Sequence, residues 1–396
     1  MLSCCLDIVK HLLIILTTPN KEQSIIMKIG IVGRPHVGKT TVFNALAQSN
    51  VEIGDYTSKQ QVNLSTITVP DDRLEKLLPI FQAKTIVPAT IDYVDGGGTS
   101  RSAINPNVNV SDNTEIDASV LAELRTVDAL AHVVRLFEDE TVPHVDGHVD
   151  GKRDIDAVNI ELVFADLQII EGRLSRLEKL LKNQKTPEYQ NEFRVLETFK
   201  QTLDGGIPLR SLTIAENDEK LIRGYGFLTQ KPLLIICNIS EMQLQEADQL
   251  AESFTEYEKQ AQTTVIALAA KLEMEIAQLD AEDAEIFMVE MGLNQSALNR
   301  FIKTSYNLMG LITFFTGGPK EARAWTLRQG QTAVEAAGLI HTDFERGFVR
   351  AECINWNDLV TCGSYTQARS KGLLKVEGKT YQVKEGDVLN ILANPT

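Results

Sequence analysis

The chain has 396 residues, 43% of them hydrophobic, which is enough for two or three cores at about 100–200 residues per domain. Its formal net charge of -15 excludes a general nucleic-acid coat, whose binding needs clustered lysine and arginine. The five cysteines are scattered without C-x-x-C spacing, which excludes a disulfide framework and points to the reducing cytoplasm.

Residues 1–26 hold one apolar run, Leu12 to Leu16, far short of the roughly 18–20 residues that span a bilayer. Asp7 also interrupts the region that a secretory signal keeps basic. We read this stretch as an extension with no share in the fold and no membrane role. Met27 stands directly ahead of a strand pattern and is itself a candidate start.

The run KIGIV, Lys28 to Val32, reads as a buried strand, and TTVFNALAQ, Thr40 to Gln48, has helical spacing in Val42, Leu46 and in Phe43, Ala47. Between them lies GRPHVGKT, which satisfies G-x-x-x-x-G-K-[ST] in its required context of strand before and helix after. Such a loop turns successive backbone N–H groups inward around phosphate oxygens at the positive end of a helix dipole. Gly33, Arg34, Pro35, His36, Val37, Gly38, Lys39, Thr40 and Thr41 are therefore expected to line a phosphate site. Lys39 would neutralise the β and γ phosphates and act in catalysis, and the Thr40 hydroxyl would be a magnesium ligand.

The next strand, ATIDYV from Ala89 to Val94, runs into VDGGG. Asp95 fits the second magnesium-side carboxylate, and the D-x-x-G spacing brings the Gly98 amide toward a γ phosphate. Asp92 reads as a structural strand residue. Thr99 to Asn113 is polar, rich in asparagine and without period, a loop.

Further strands are expected at Ala129 to Leu136, Pro232 to Cys237 and Thr264 to Leu268. These are unalternating apolar runs, as in a parallel sheet covered on both faces, so a doubly wound α/β domain follows. His132, inside ALAHVVRL, reads as a satisfied core histidine. From Glu161 to Leu203 a heptad-like seam of Leu167, Ile170, Leu174, Leu177 and Leu181 is broken by Pro187, which predicts an antiparallel helical hairpin. The seam either packs on the parent domain or forms a projecting, partner-binding arm.

After the PLLIIC strand come Asn238, Ile239, Ser240 and Glu241. A guanine-specific site would place aspartate fourth, and here the acid is one methylene longer. The following strand ends in ALAAKLE, where Ala270 and Lys271 are placed to bring a backbone amide and an alkyl stem near a base. Beyond Gly310 the pattern changes to short strands and turns: ITFFTGG, EARAWTL, GFVRAECI, LLKVEGKTYQV and DVLNIL. That segment has ten lysines and arginines against nine acids, a net +1, leaving -16 on the rest of the chain. The expected domains are an extension (1–26), a P-loop nucleotide-binding domain (27–158 and 206–309), a helical insertion (159–205) and a small β-rich domain (310–396).

Taken together, GIVGRPHVGKTTVFNAL, LAHVVRLFED, the N-x-x-E at Asn238 to Glu241, and the C-terminal KEARAWT, GLIHTDFERGFVRAE and EGDVLNIL resemble the YchF or Obg-like ATPase family of translation-factor-class P-loop proteins. The resemblance runs from about Met27 to the C-terminus. It implies a nucleotide-binding domain, a coiled-coil insertion and a C-terminal TGS-like domain. It also implies relaxed guanine specificity with ATP hydrolysis, and the ribosome as partner. His144, in TVPHVDG, matches a family histidine suggested to orient the attacking water, although it is equally placed to cap a loop beside Asp146.

Two departures stand out. Where the family carries a magnesium-binding threonine in a first-switch segment like YPFCTIEPN, this chain reads YTSKQQVN from Tyr56 to Asn63, with only Thr57 and Ser58 as substitutes. After D-x-x-G the family continues into a glycine-rich segment, and here Thr99 and the asparagine-rich loop follow. The expected protein is a cytoplasmic, monomeric, slow ATP/GTP hydrolase using magnesium, a ribosome-associated switch without a DNA partner. The alternative is a nucleotide-stabilised binding scaffold with negligible hydrolysis, because both switches are altered.

Overall fold

The computed structural model describes residues 27–47, 63–96, 116–293 and 295–394. The chain divides into two units, one made of 27–67 and 91–309, the other including 68–90 and 310–396. Neither the 1–26 extension, the Tyr56–Val62 part of the first switch, Gly98, Thr99 nor the asparagine-rich loop falls within the described residues.

The first unit is built on a six-stranded sheet of β1 (Lys28–Val32), β2 (Asn63–Thr68), β4 (Thr90–Asp95), β5 (Ala129–Arg135), β6 (Leu233–Asn238) and β7 (Thr263–Leu268), in the order β2-β4-β1-β5-β6-β7. The pairs β4–β1, β1–β5, β5–β6 and β6–β7 are all parallel. Every residue of β5 and β6 is buried, which is why these strands read as unbroken apolar runs. By contrast β2, NLSTIT, alternates half-buried and exposed, as an edge strand covered on one face does.

Helix α1 (Lys39–Ala47) follows the glycine loop directly. The helical insertion is longer than the sequence suggested. Its first helix, α4, spans Gly151–Asn183 and begins eight residues before the expected boundary at 159, with the Asp150 side chain accepting from the Arg153 backbone N–H. At 33 residues it is about 50 Å long. Its opening residues Ile155, Val158 and Leu162 belong to the core beneath the sheet. Farther along, Ile170, Leu174 and Leu177 pack against Val195, Leu196, Phe199 and Leu203 of the return helix α5 (Pro187–Asp204), in a separate core that also takes in Leu209, Ile222 and Phe227. Thr186 caps α5 and Pro187 opens it, where its missing N–H costs nothing.

The second unit holds another six-stranded sheet, of β3 (Thr85–Val87), β8 (Leu311–Gly317), β9 (Glu321–Arg328), β10 (Phe348–Asn355), β11 (Lys375–Glu377) and β12 (Asp387–Ala393), in the order β11-β10-β12-β8-β9-β3. Its edge strand β3 comes from the N-terminal half of the chain and pairs parallel to β9 from Thr85↔Glu321 to Val87↔Arg323. Residues 68–90 therefore sit with the C-terminal sheet, whereas the sequence reading left them in the nucleotide-binding domain. Helix α2 (Arg73–Phe81) is locked in by packing: a Cβ on Gly317 would lie 2.2 Å from the Phe81 ring. Arg73 is ion-paired to Asp71 and Glu385 and sits 5.0 Å over the Phe315 ring.

Candidate nucleotide site

The glycine loop leaves β1 at Val32 and re-enters helix at Lys39, with three residues at positive φ: Gly33 (153°), His36 (60°) and Gly38 (98°). Glycine is required at the first and third by space as well as by torsion. A Cβ on Gly33 would meet the Val133 carbonyl oxygen at 2.5 Å, and one on Gly38 would meet Asn238 Nδ2 at 2.3 Å. His36 is exposed at the tip beside Pro35, and the partial desolvation of its ring together with Lys39 and Arg135 lowers its pKa. Val37 is buried and anchors the loop to the core.

Lys39 points back into the loop. Its Nζ donates to the carbonyl oxygens of Gly33 (2.9 Å) and Arg34 (2.7 Å). Next to it the Thr40 hydroxyl donates to Asp95 Oδ2 at 3.1 Å. This pair is a product of the sheet: β4 lies parallel to β1 with Asp95 opposite Ile31, so the last residue of β4 arrives beside the first turn of α1. Asp92, three residues earlier, accepts from Thr66 Oγ1 at 2.6 Å and ties β4 to β2. Thr41 is half-buried in the first turn of α1.

A hydroxyl and a carboxylate oxygen side by side, next to a phosphate loop, suit magnesium. That ion prefers hard oxygen ligands and fills most of its shell with waters and substrate phosphates. Among the described residues there is no group of three or more His, Cys, Asp or Glu side chains that could hold a metal ion.

Asn238, expected near the base, is a strut. Its Nδ2 donates to the Val37 carbonyl (2.9 Å) and its Oδ1 accepts from the Ala270 N–H (3.1 Å), joining the glycine loop to helix α6 (Ala270–Ile276). Glu241 and Lys271, the other two residues expected near the base, are both exposed.

His144 is held on all sides. Its Nε2 lies 2.9 Å from Asp154 Oδ2, and its Nδ1 accepts from the Asp146 N–H at 3.2 Å. That second bond assigns the proton to Nε2, which donates it to Asp154. Asp154 Oδ1 also accepts from Arg34 Nη1 at 2.9 Å, and Arg34 pairs with Asp146 at 2.5 Å. The sequence reading took Arg34 only for a loop residue and did not anticipate Asp154, since nothing local in the chain relates positions 120 residues apart. Arg135 was likewise missed. Its guanidinium donates to the carbonyls of Phe137 and Val142 and stacks on the Phe137 ring, shaping the segment that leads to His144.

His132 is a core histidine, and neither of its ring nitrogens has a hydrogen-bond partner among the described residues. Burial pushes its pKa down to about 3, and the ring is neutral.

Residues 28–165 match the family described as 50S ribosome-binding GTPase, and residues 311–394 match the C-terminal domain of YchF GTPases, described as a protein of unknown function. Over 368 residues the chain is 39% identical to the ribosome-binding ATPase YchF of Bacillus subtilis, covering 92% of this chain and 98% of the relative. The protein of the same name from Escherichia coli O157:H7 is 37% identical, with 93% and 99% covered. Among solved structures, the Schizosaccharomyces pombe YchF GTPase superimposes with a TM-score of 0.77 at 28% identity, covering 95% of this chain and 99% of that one.

Proposed function

The chain belongs to the YchF family of P-loop nucleoside triphosphate hydrolases, and from that premise we propose that it is a slow, magnesium-dependent ATP and GTP switch acting on the ribosome. The observation that carries the reading is the meeting of Thr40 and Asp95 at 3.1 Å beside the Lys39 ammonium. Lys39 and the loop amides are placed to orient the phosphates and Asn238 holds the loop; Thr40 and Asp95 would hold a magnesium ion, which would supply charge neutralisation on the β and γ phosphates. Slow turnover is supported by the altered first switch and by Thr99 after D-x-x-G. Single-turnover measurement with γ-labelled ATP and GTP is the test: magnesium-dependent phosphate release at a low rate is expected. Tight binding with no release over hours would instead leave a nucleotide-stabilised scaffold.

Base selectivity should be weak. With both polar groups of Asn238 committed to the protein, discrimination falls to Glu241, displaced by one methylene from the aspartate geometry that accepts from guanine N1 and N2. ATP is expected to bind within about tenfold of GTP, a gap of about 1.4 kcal/mol. Glu241→Asp should move the preference toward GTP. Competition calorimetry reads both, and a guanine preference of several hundredfold in the native chain would contradict the assignment.

For the ribosome, the charge map decides which surface leads. A body carrying -16 over its first 309 residues is repelled by RNA phosphate unless basic patches make the approach. On the arm, Arg173 is paired to Glu192, which leaves the exposed Arg176, Lys179 and Lys182 as the group facing water. In the second unit Arg346, Arg350, Lys371, Lys375 and Lys379 are all exposed. Co-sedimentation is expected to be salt-sensitive, stronger with a non-hydrolysable nucleotide, and to show a reduced salt slope once the C-terminal basic residues are neutralised. No association at low salt in any nucleotide state would remove the ribosome as partner. Among the described residues no helix is long and apolar enough to cross a membrane. We place the protein in the cytoplasm as a monomer.

A further inference from the structure

The first turn of the long helix α4 carries a carboxylate that is almost wholly enclosed: Asp154 is 1% exposed. One of its oxygens takes the Arg34 guanidinium of the glycine loop at 2.9 Å, and also Arg153 Nε and Nη2 at 3.1 and 3.0 Å. The other takes the His144 ring at 2.9 Å. Its neighbours Ile155 and Val158 are set in the core beneath the sheet, so the carboxylate stands on a fixed base rather than on a loop. Arg34, itself 6% exposed, has its backbone carbonyl gripped from the other side by Lys39 Nζ at 2.7 Å. The phosphate loop and the segment carrying His144 thus share Asp154 as an anchor, beside the direct Arg34–Asp146 pair.

We propose that Asp154 is a positioning residue of the nucleotide site, setting the glycine loop through Arg34 and His144 through the ring Nε2, so that loop and histidine are placed relative to each other by the base of the helical arm. This rests on the nucleotide-site reading above and extends it to Asp154, a residue 120 positions from the loop. The chemical reason is the division of one carboxylate between the two sides, Arg34 with Arg153 on one oxygen and the His144 ring on the other. A charged acceptor gives short, directional bonds to both a guanidinium and an imidazole N–H, and enclosure from water strengthens them. Each bond then limits how far the other can drift, which is what a site needs when an error of about 1 Å can cost on the order of 100-fold in rate.

The roles predict a division of kinetic effects. Arg34→Leu should act on affinity, raising the Kd for ATP at least fivefold. His144→Ala should act on turnover, lowering single-turnover kcat. Asp154→Asn should do both. The decisive reading is the double-mutant cycle: in the Asp154→Asn background, adding Arg34→Leu should change Kd by less than twofold, and adding His144→Ala should change kcat by less than twofold. Arg34→Lys, which keeps one cationic donor for Asp154, should recover most of the affinity that Arg34→Leu loses. If Asp154→Asn does not fold, the comparison of lysine with leucine at position 34 is made in an Asp146→Asn background, where Asp154 is the carboxylate left to position 34. Additive effects in the cycle, or a lysine no better than leucine, would overturn the role of Asp154 while leaving nucleotide binding in place. A native chain that binds neither ATP nor GTP would remove this inference and the proposed function together.

Discussion

Lys39→Ala is expected to weaken ATP and GTP binding by at least 100-fold, about 2.8 kcal/mol, while AMP affinity changes by less than threefold. The reason is positional. Lys39 opens α1, is 8% exposed, and holds its ammonium inside the curl of the glycine loop against the Gly33 and Arg34 carbonyls, which places a concentrated positive charge where β and γ phosphates arrive. AMP lacks those phosphates and so does not sense the loss. Truncation also leaves two carbonyl groups without their charged donor, a cost of about 1–3 kcal/mol to local stability. That is too little to unfold a sheet whose central strands are wholly buried. Fluorescent-nucleotide titration with AMP in parallel checks the result. Equal losses for AMP and ATP would mean that the variant has collapsed the loop rather than removed a phosphate contact.

Gly38→Ala should be nearly as damaging for binding and worse for stability. At φ 98° an alanine is strained by about 1–3 kcal/mol. Its Cβ would also fall 2.3 Å from Asn238 Nδ2, and that side chain is 4% exposed and bonded at both ends, to Val37 and Ala270. Asn238 has nowhere to move without giving up one of those bonds, each worth about 0.5–1.5 kcal/mol. We expect a loss of roughly 2–4 kcal/mol and a fall in ATP and GTP affinity of at least 30-fold. Trp325 and Trp356 both lie in the second unit, so tryptophan fluorescence reports that unit and should be unchanged. Far-ultraviolet circular dichroism in urea and hydrogen exchange over 33–47 report the loss. Affinity within twofold of the native chain would show that the loop relaxes around the methyl group and that Asn238 is not the strut described.

Much of this molecule is written locally in its chain. GRPHVGKT declares a phosphate loop because cradling an anion needs glycines, a lysine and a hydroxyl at fixed offsets within eight residues, and all of them are neighbours in sequence. The buried strands declare themselves because covering both faces of a parallel sheet favours apolar residues at most positions. The hairpin shows in its seam and in Pro187, which can start a helix but not continue one. The family blocks made the C-terminal domain recognisable as well.

Other features became visible only when distant segments met. The segment 68–90 gives no local sign that it belongs with the C-terminal sheet: β3 is three residues long, too short for a period, and its place is decided by pairing with β9 and by Phe81 filling the space over Gly317. The start of α4 escaped notice because GKRD carries no apolar spacing, and its helical state depends on the Asp150 cap and on Ile155 and Val158 reaching the sheet core. The same holds for the site. Thr40 and Asp95 were readable as a pair because two motifs name them, but the bond from Arg34 to Asp154 joins positions 120 residues apart, and His132 shows its lack of partners only once the sheet has closed around it. Local spacing encodes what one element must do to fold or to hold a phosphate. Which charges end up enclosed together is settled by packing, because the partner of a buried ion is chosen by proximity in space and by the energy of leaving it alone.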